Sequence, residues 1–295
     1  MKFTLALPMC PPDHLLPLAR AAEDAGWDAV TMPDSVFFPE EVSADYPYTA
    51  DGARFWRPDT PWLEPFVAIP AMAAITERLH FYTNVYKTVL RHPLLVAKSL
   101  GSAAALAPGR VGIGVGLSWI PEEFAWLGQD MRTRGKRLDE TIDIIRAVLA
   151  GGYAEHHGAQ YDFGRLAMSP APPAPVPIYV GGHSDPALRR AARLGDGWIA
   201  VQVTPEEIDE IMGRLRPLLI EHDRDVASYE IKVTPLVLAT PDAMASLGDQ
   251  GVTDVITVPW LYYEGDHHEL QTKLDGVHRF ADEVIHPLAE PTGVR

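Results

Sequence analysis

The feature that most limits how this chain can fold is an alternation running almost its full length: short apolar strand-like segments, each followed by a longer segment with helical spacing. Lys2 to Leu7 reads as the first strand. Asp13 to Ala25 places Leu15, Leu16, Leu18, Ala19, Ala22 and Ala25 at helical intervals before Gly26 stops the helix. Trp27 to Met32 is the next strand, so the chain opens β-α-β with short links, which predicts parallel strands joined by a right-handed crossover. Further strands are predicted at 79–83, 110–115, 177–180, 198–203, 230–238 and 253–258, with helices at 65–76, 92–107, 135–149, 185–194, 205–222, 241–249 and 267–285. Eight strands alternating with eight helices in 295 residues point to an α/β fold of the (β/α)8 TIM-barrel type more readily than to a doubly wound sheet. Periodicity fails from Gly151 to Pro175, which reads as an insertion outside the repeat. No internal repeat or linker divides the chain, so 1–295 is expected to be one domain with a tail at about 287–295.

In such a barrel, chemistry gathers at the carboxyl ends of the strands. Those ends carry Pro8-Met9, Asp34, Asn84-Val85, Gly116, Gly181-Gly182, Gln202, Pro235 and Pro259-Trp260, of which few are charged. The fifth end is the most informative. Pro177 to Val180 is a short buried strand, Gly181-Gly182-His183-Ser184 a turn, and Asp185-Pro186 the start of a helix whose free N–H groups and dipole suit an anion. A Gly-Gly turn before a helix can equally be no more than a tight turn. Gly112-Ile113-Gly114-Val115-Gly116 lacks the third glycine of a dinucleotide fingerprint, because Leu117 and Trp119 stand in its place. The stretch from Val36 to Trp62 is irregular, long and rich in Phe, Tyr, Trp and Pro, which predicts a lid or pocket wall, with a surface loop or dimer contact as the alternative.

A net charge of −15 argues against nucleic acid or an anionic membrane as a partner. Cys10 is the only cysteine, which excludes an internal disulfide or a thiolate cluster and fits a cytoplasmic protein. The apolar start is short, contains Pro8 and reads as a strand, not a signal peptide. The pairs His156-His157 and His267-His268 have no carboxylate at ligand-like spacing and predict loop or surface roles. His92, before Pro93, reads as structural, and neither Lys87 nor Lys232 is placed for a Schiff base. No nucleophile elbow is present. Asp34 is the best-placed carboxylate, with a loop cap as its plainer role.

Several pieces, in the right order, resemble the bacterial-luciferase-like superfamily of flavin- and deazaflavin-dependent oxidoreductases. They are Ala21 to Asp28, Thr76 to Leu79, Arg91-His92-Pro93, Gly109 to Trp119 with Glu122-Glu123-Phe124, and the fifth strand end through Asp196-Gly197-Trp198. The resemblance implies a barrel with an insertion, a redox cofactor at the strand ends and a homodimer. It implies a non-proline cis bond at Asn84-Val85 behind the cofactor ring, and a phosphate at Gly181, Gly182, His183 and Ser184, with Asp34 and Gly116 also at the cofactor. The compact length, the aromatic loop and the Gly-Gly-His-Ser turn look more like the branch using coenzyme F420 than the one using FMN. F420 would pass a hydride to or from a small, apolar or aromatic organic substrate. The alternatives are an FMN-dependent monooxygenase needing a partner flavin reductase and oxygen, and a non-catalytic flavin carrier. Two positions depart from the family: Ser35 where many relatives have histidine, and Leu117 where the sugar-phosphate and alcohol dehydrogenases have an acid. Both argue against sugar-phosphate activity and leave Asp34, Tyr86 and His183 as the proton-transfer candidates.

Overall fold

The computed structural model describes residues 1–289, and the end of the expected tail lies outside them. Eight parallel strands form one sheet: β1 (Lys2–Ala6), β2 (Ala29–Met32), β3 (His80–Thr83), β4 (Ile113–Val115), β7 (Ile178–Gly181), β8 (Gly197–Val203), β9 (Glu230–Pro235) and β10 (Asp254–Thr257). Their order is β3-β2-β1-β10-β9-β8-β7-β4. Bridges Phe81 to Val111 and Tyr86 to Val115 bring the two ends together, so the sheet is a nearly closed barrel. Around it run α1 (Leu15–Asp24), α2 (Pro65–Ala73), α3 (Pro93–Leu106), α5 (Arg134–Leu149), α6 (Asp185–Leu194), α7 (Pro205–Glu221), α8 (Pro241–Asp249) and α9 (Leu270–Phe280). The predicted alternation is therefore the observed one.

β4 begins three residues later than its apolar run predicts, and its seam with β3 is made partly by a side chain. The Thr83 hydroxyl donates to the Gly114 carbonyl at 2.7 Å and accepts from the Gly114 N–H at 3.1 Å, so a side chain takes over part of the ladder. A Cβ at Gly114 would collide with the Thr83 carbonyl, so the seam needs glycine there. At β9 the expected strand stops three residues early. Pro235 ends the ladder, and Leu236 and Leu238 stand exposed beyond it. The last helix begins at Leu270, after a 3-10 turn at Pro259–Tyr262, and passes into a π turn at Ala281–Ile285.

The insertion is a polar antiparallel hairpin, β5 (Tyr153–His157) with β6 (Asp162–Ala167), too short and too exposed to leave an apolar periodicity. Glu140 of α5 holds its tip by accepting the N–H groups of Ala159, Gln160 and Tyr161 at 3.1 Å. His156 lies 3.2 Å from Glu140 and His157 2.6 Å from Asp162, so the adjacent histidines serve different partners. His92 caps α3, its ring nitrogen accepting from Leu94 N–H at 3.3 Å.

Inward residues fill the barrel. Ala29, Tyr82, Tyr179, Ile199 and Ile256 form an interior cluster, with Ala6 and Val85 packed on it. Lys232 is enclosed among them: its ammonium meets Asp254 at 2.7 Å and Glu230 at 2.8 Å, and lies 4.6 and 4.4 Å from the Tyr82 and Tyr179 ring centres. Tyr82 and Thr4 also bond Asp254, so this carboxylate, 1% exposed, is well satisfied. The interior is a packed plug, which leaves the open end of the barrel as the place for a ligand. No helix of the described residues is long and apolar enough to cross a membrane.

Candidate active site

Three strand ends converge at the open end. The Asn84-Val85 peptide is cis. Val85 packs over the interior cluster and against two glycines: a Cβ at Gly181 would lie 3.0 Å from Val85 Cγ1, and one at Gly116 would overlap Val85 Cγ2. Gly116 and Gly181 thus let β4 and β7 approach the β3 end closely, with the Val85 side chain lying over both glycines as a bulge on which a flat ring can rest. The residues predicted at 84, 85, 116 and 181 are brought together by the fold.

The turn beyond β7 gathers unpaired polar groups at a helix N-terminus. Gly182 has φ +119°, and a Cβ there would meet Ala187 Cβ at 2.9 Å, so glycine is required on both counts. Its carbonyl is held by the indole N–H of the fully buried Trp198 at 2.8 Å. The N–H groups of His183 and Ser184 donate to no described residue. Ser184 is the N-cap of α6, yet its hydroxyl makes no capping bond. His183 Nε2 is buried without a partner among the described residues, as is Nε of Arg214, whose guanidinium meets Asp185 at 2.9 Å. Two free N–H groups, an idle hydroxyl and an orphaned imidazole nitrogen at a helix N-terminus fit the phosphate of a flavin-like cofactor.

Burial holds the His183 imidazole below the ordinary histidine value, with Arg214 pushing the same way and Glu207 opposing. The unfolded chain then takes up protons at a higher pH than the native one. The stability linked to this group is complete above about pH 6.5 and is lost as the pH falls through the window beneath it. Ring NMR of the free protein is expected to place the His183 midpoint below about 6.5. Saturation with inorganic phosphate should move it upward; a midpoint indifferent to phosphate would remove His183 from the cradle.

The other two proton-transfer candidates sit differently. Asp34 is 6% exposed and is gripped by Arg91 through both oxygens, at 2.6 and 3.0 Å, while the Lys87 N–H donates to it at 2.9 Å. Tyr86 is buried, and its hydroxyl donates to Glu64 at 3.0 Å beneath the Arg91 guanidinium. Burial first, then Glu64 and Asp34, push the Tyr86 hydroxyl far above its usual pKa against the pull of Arg91, so it remains protonated. Glu64 also meets Arg91 at 3.2 Å. One step further, Lys87 meets the fully buried Glu123 at 2.6 Å, and Glu123 accepts the Ser118 hydroxyl. This polar web ties the β2, β3 and β4 ends into one unit behind Asn84-Val85.

Sequence reasoning missed Glu64, Lys87, Ser118 and Glu123 as parts of that unit. The available signals were Lys87 and Arg91 four residues apart, and a Glu-Glu pair directly after an apolar run. Long-range pairs of this kind become visible only when the strand ends meet.

The segment after β2 packs through its aromatic side chains. Tyr46 meets Trp56 at 5.0 Å and Trp119 at 5.3 Å between ring centres, and Phe37 stacks on Trp126 at 5.4 Å. Ser43 N–H donates to Glu122 at 2.9 Å, fastening the segment to α4 (Pro121–Trp126), a short helix the sequence did not announce. Leu117, directly after the β4 glycines, is partly exposed. Among the described residues no group of three or more His, Cys, Asp or Glu could hold a metal ion.

Residues 4–273 match the luciferase-like monooxygenase family. An uncharacterized protein of Mycobacterium tuberculosis is 44% identical over 97% of this chain and 99% of its own length. An F420-dependent glucose-6-phosphate dehydrogenase of Beutenbergia cavernae is 30% identical over 80% of this chain and 67% of its own. Among solved structures, monooxygenase RslO1 from Streptomyces bottropensis superposes with a TM-score of 0.75 at 18% identity, covering 98% of this chain and all of that one. At that identity the likeness concerns the fold alone.

Proposed function

The chain belongs to the luciferase-like monooxygenase family, and from that premise we propose that it is a coenzyme F420-dependent oxidoreductase acting on a small, apolar organic substrate. The observation that carries this reading is the contact of Val85 with the faces of Gly116 and Gly181, one residue from a turn with unused N–H groups. That arrangement offers a bed for a ring beside a cradle for an anion. When bound, the deazaflavin supplies hydride transfer.

The chain's own residues bind and orient. Gly182, His183 and Ser184 hold the phosphate; Asn84, Val85, Gly116 and Gly181 support the ring. Asp34 and Tyr86 act as positioning residues, because their polar atoms are engaged by Arg91, Lys87 and Glu64. Of the three proton-transfer candidates, His183 alone keeps a free ring nitrogen, and it lies at the phosphate end. The proton that accompanies hydride transfer then comes from the substrate or water. The aromatic wall from Val36 to Trp62 excludes water from one side of the bed.

Similarity to an F420-dependent dehydrogenase over most of the chain supports F420 over FMN. That relative's sugar-phosphate substrate does not suit Leu117 or the aromatic wall. Membership of a family described as monooxygenases keeps FMN as the second reading. Fluorescence titration of cofactor-free protein separates them: F420 should bind, and Gly182→Val should weaken binding at least about tenfold, because a side chain at φ +119° displaces the turn. Tight FMN binding with none for F420 would reverse the assignment. Binding of F420 without its oxidation or reduction by any substrate would favour a non-catalytic carrier.

A further inference from the structure

On the cofactor reading, the bed and cradle occupy the ends of β3, β4 and β7, which are neighbours around the barrel once the seam is closed. In that ring of eight, β9 stands opposite β3. Just beyond β9 and β10 lies an open groove of about 640 Å³, lined chiefly by Leu236, Val237, Leu238 and Tyr262. Leu236 is 56% exposed, Leu238 77%, and neighbouring Leu261 61%. Such a concentration of bare leucine at a barrel rim marks a contact surface.

No charged side chain lines the groove. Of the two hydroxyls in the lining, that of Thr240 is taken by the N–H of Ala243 as the cap of α8, and the other is the phenol of Tyr262. An ionic ligand would lose water there and gain no charged partner. The groove begins at Pro235, the last residue of β9, so it continues directly from the open end of the barrel. Its volume falls within the ordinary range for small-molecule sites, roughly 300–1,000 Å³.

Resting on the cofactor reading for where the reacting end sits, we propose that this groove takes the body of the substrate, and that the substrate is an uncharged molecule with an extended hydrocarbon portion. The reacting group faces the bed across the barrel, and the hydrocarbon lies along Leu236, Leu238 and Tyr262.

The test uses the full chain without cofactor and the uncharged fluorescent probe N-phenyl-1-naphthylamine. Wild-type protein should bind it, 1-decanol should displace it, and glucose 6-phosphate should not. The double variant Leu236→Asp/Leu238→Asp, both at exposed positions and with its fold checked by circular dichroism, should bind the probe at least about tenfold more weakly, since two leucine contacts are replaced by charges. Its F420 affinity should be unchanged. Equal probe affinity in variant and wild type, or displacement by glucose 6-phosphate, overturns the proposal. So does a wild-type oligomer that the double variant splits, which would show that a second copy covers the groove. Failure of F420 to bind either protein, with the probe result as expected, would instead overturn the cofactor reading and leave the apolar groove standing.

Discussion

Replacing Lys232 with methionine is expected to destabilise the protein by about 3–5 kcal/mol, a large share of a typical unfolding free energy. The residue is 2% exposed inside the barrel and neutralises Asp254, itself 1% exposed. A side chain of similar length without charge leaves that carboxylate in a dry interior with hydrogen bonds from Thr4 and Tyr82 but no cation. Urea unfolding gives the loss directly. Adding Asp254→Asn should recover much of it, because an amide keeps the hydroxyl contacts and carries no charge. A single variant within about 1 kcal/mol of wild type would mean that the plug relaxes or admits water. There is also a pH signature. Burial alone would raise the Glu230 carboxyl, but Lys232 outweighs it and holds the carboxyl below its ordinary value. Wild-type stability linked to Glu230 is therefore present above about pH 4.3 and lost as the pH falls through the lowered native value, and the Lys232 variant should lack most of that dependence.

Arg91→Met should have an effect of the same size, about 3–5 kcal/mol, for the same reason at the other end of the barrel. Asp34 has a side chain 1% exposed and depends on the Arg91 guanidinium for both oxygens. With arginine gone, the Lys87 N–H is its remaining partner, and Glu64 and the Tyr86 ring lose the group that spans them. The loss should extend to the bed, so F420 affinity in the folded variant should fall as well. Asp34→Asn on the Arg91→Met background should restore stability more than it restores affinity, since an uncharged amide removes the buried charge without rebuilding the support. Recovery of both in equal measure would give Asp34 a stability role alone.

The two variants mark where sequence reasoning reached and where it stopped. Lys232 was set aside as a Schiff-base lysine from its place early in the strand, but its enclosure by Asp254, Glu230 and two tyrosines depends on residues up to 150 positions away in the chain, such as Tyr82. Asp34 was singled out as the best-placed carboxylate from its position after the second strand. Its commitment to Arg91, 57 residues on, is a matter of which strand ends adjoin. The Gly181 to Ser184 turn was legible because every part of its chemistry is local: a strand, two glycines and a helix start within eight residues. The hairpin at β5 and β6 was not, because polar residues on an exposed two-stranded ribbon need no apolar pattern to fold.

By itself the sequence determined the eightfold alternation, the parallel barrel it demands and the strand-glycine-helix makeup of the turn after the fifth strand of the repeat. These follow from short-range periodicity and backbone rules, which act within a few residues. Only the tertiary structure decided that Val85 rests on Gly116 and Gly181, that Asp34 and Tyr86 are joined through Arg91 and Glu64, and that bare leucines stand beyond β9, the strand opposite β3 in the barrel. Those outcomes depend on closure of β3 against β4, which sets side chains from distant segments in contact, and the strength of a buried ion pair or an apolar groove exists only once they meet.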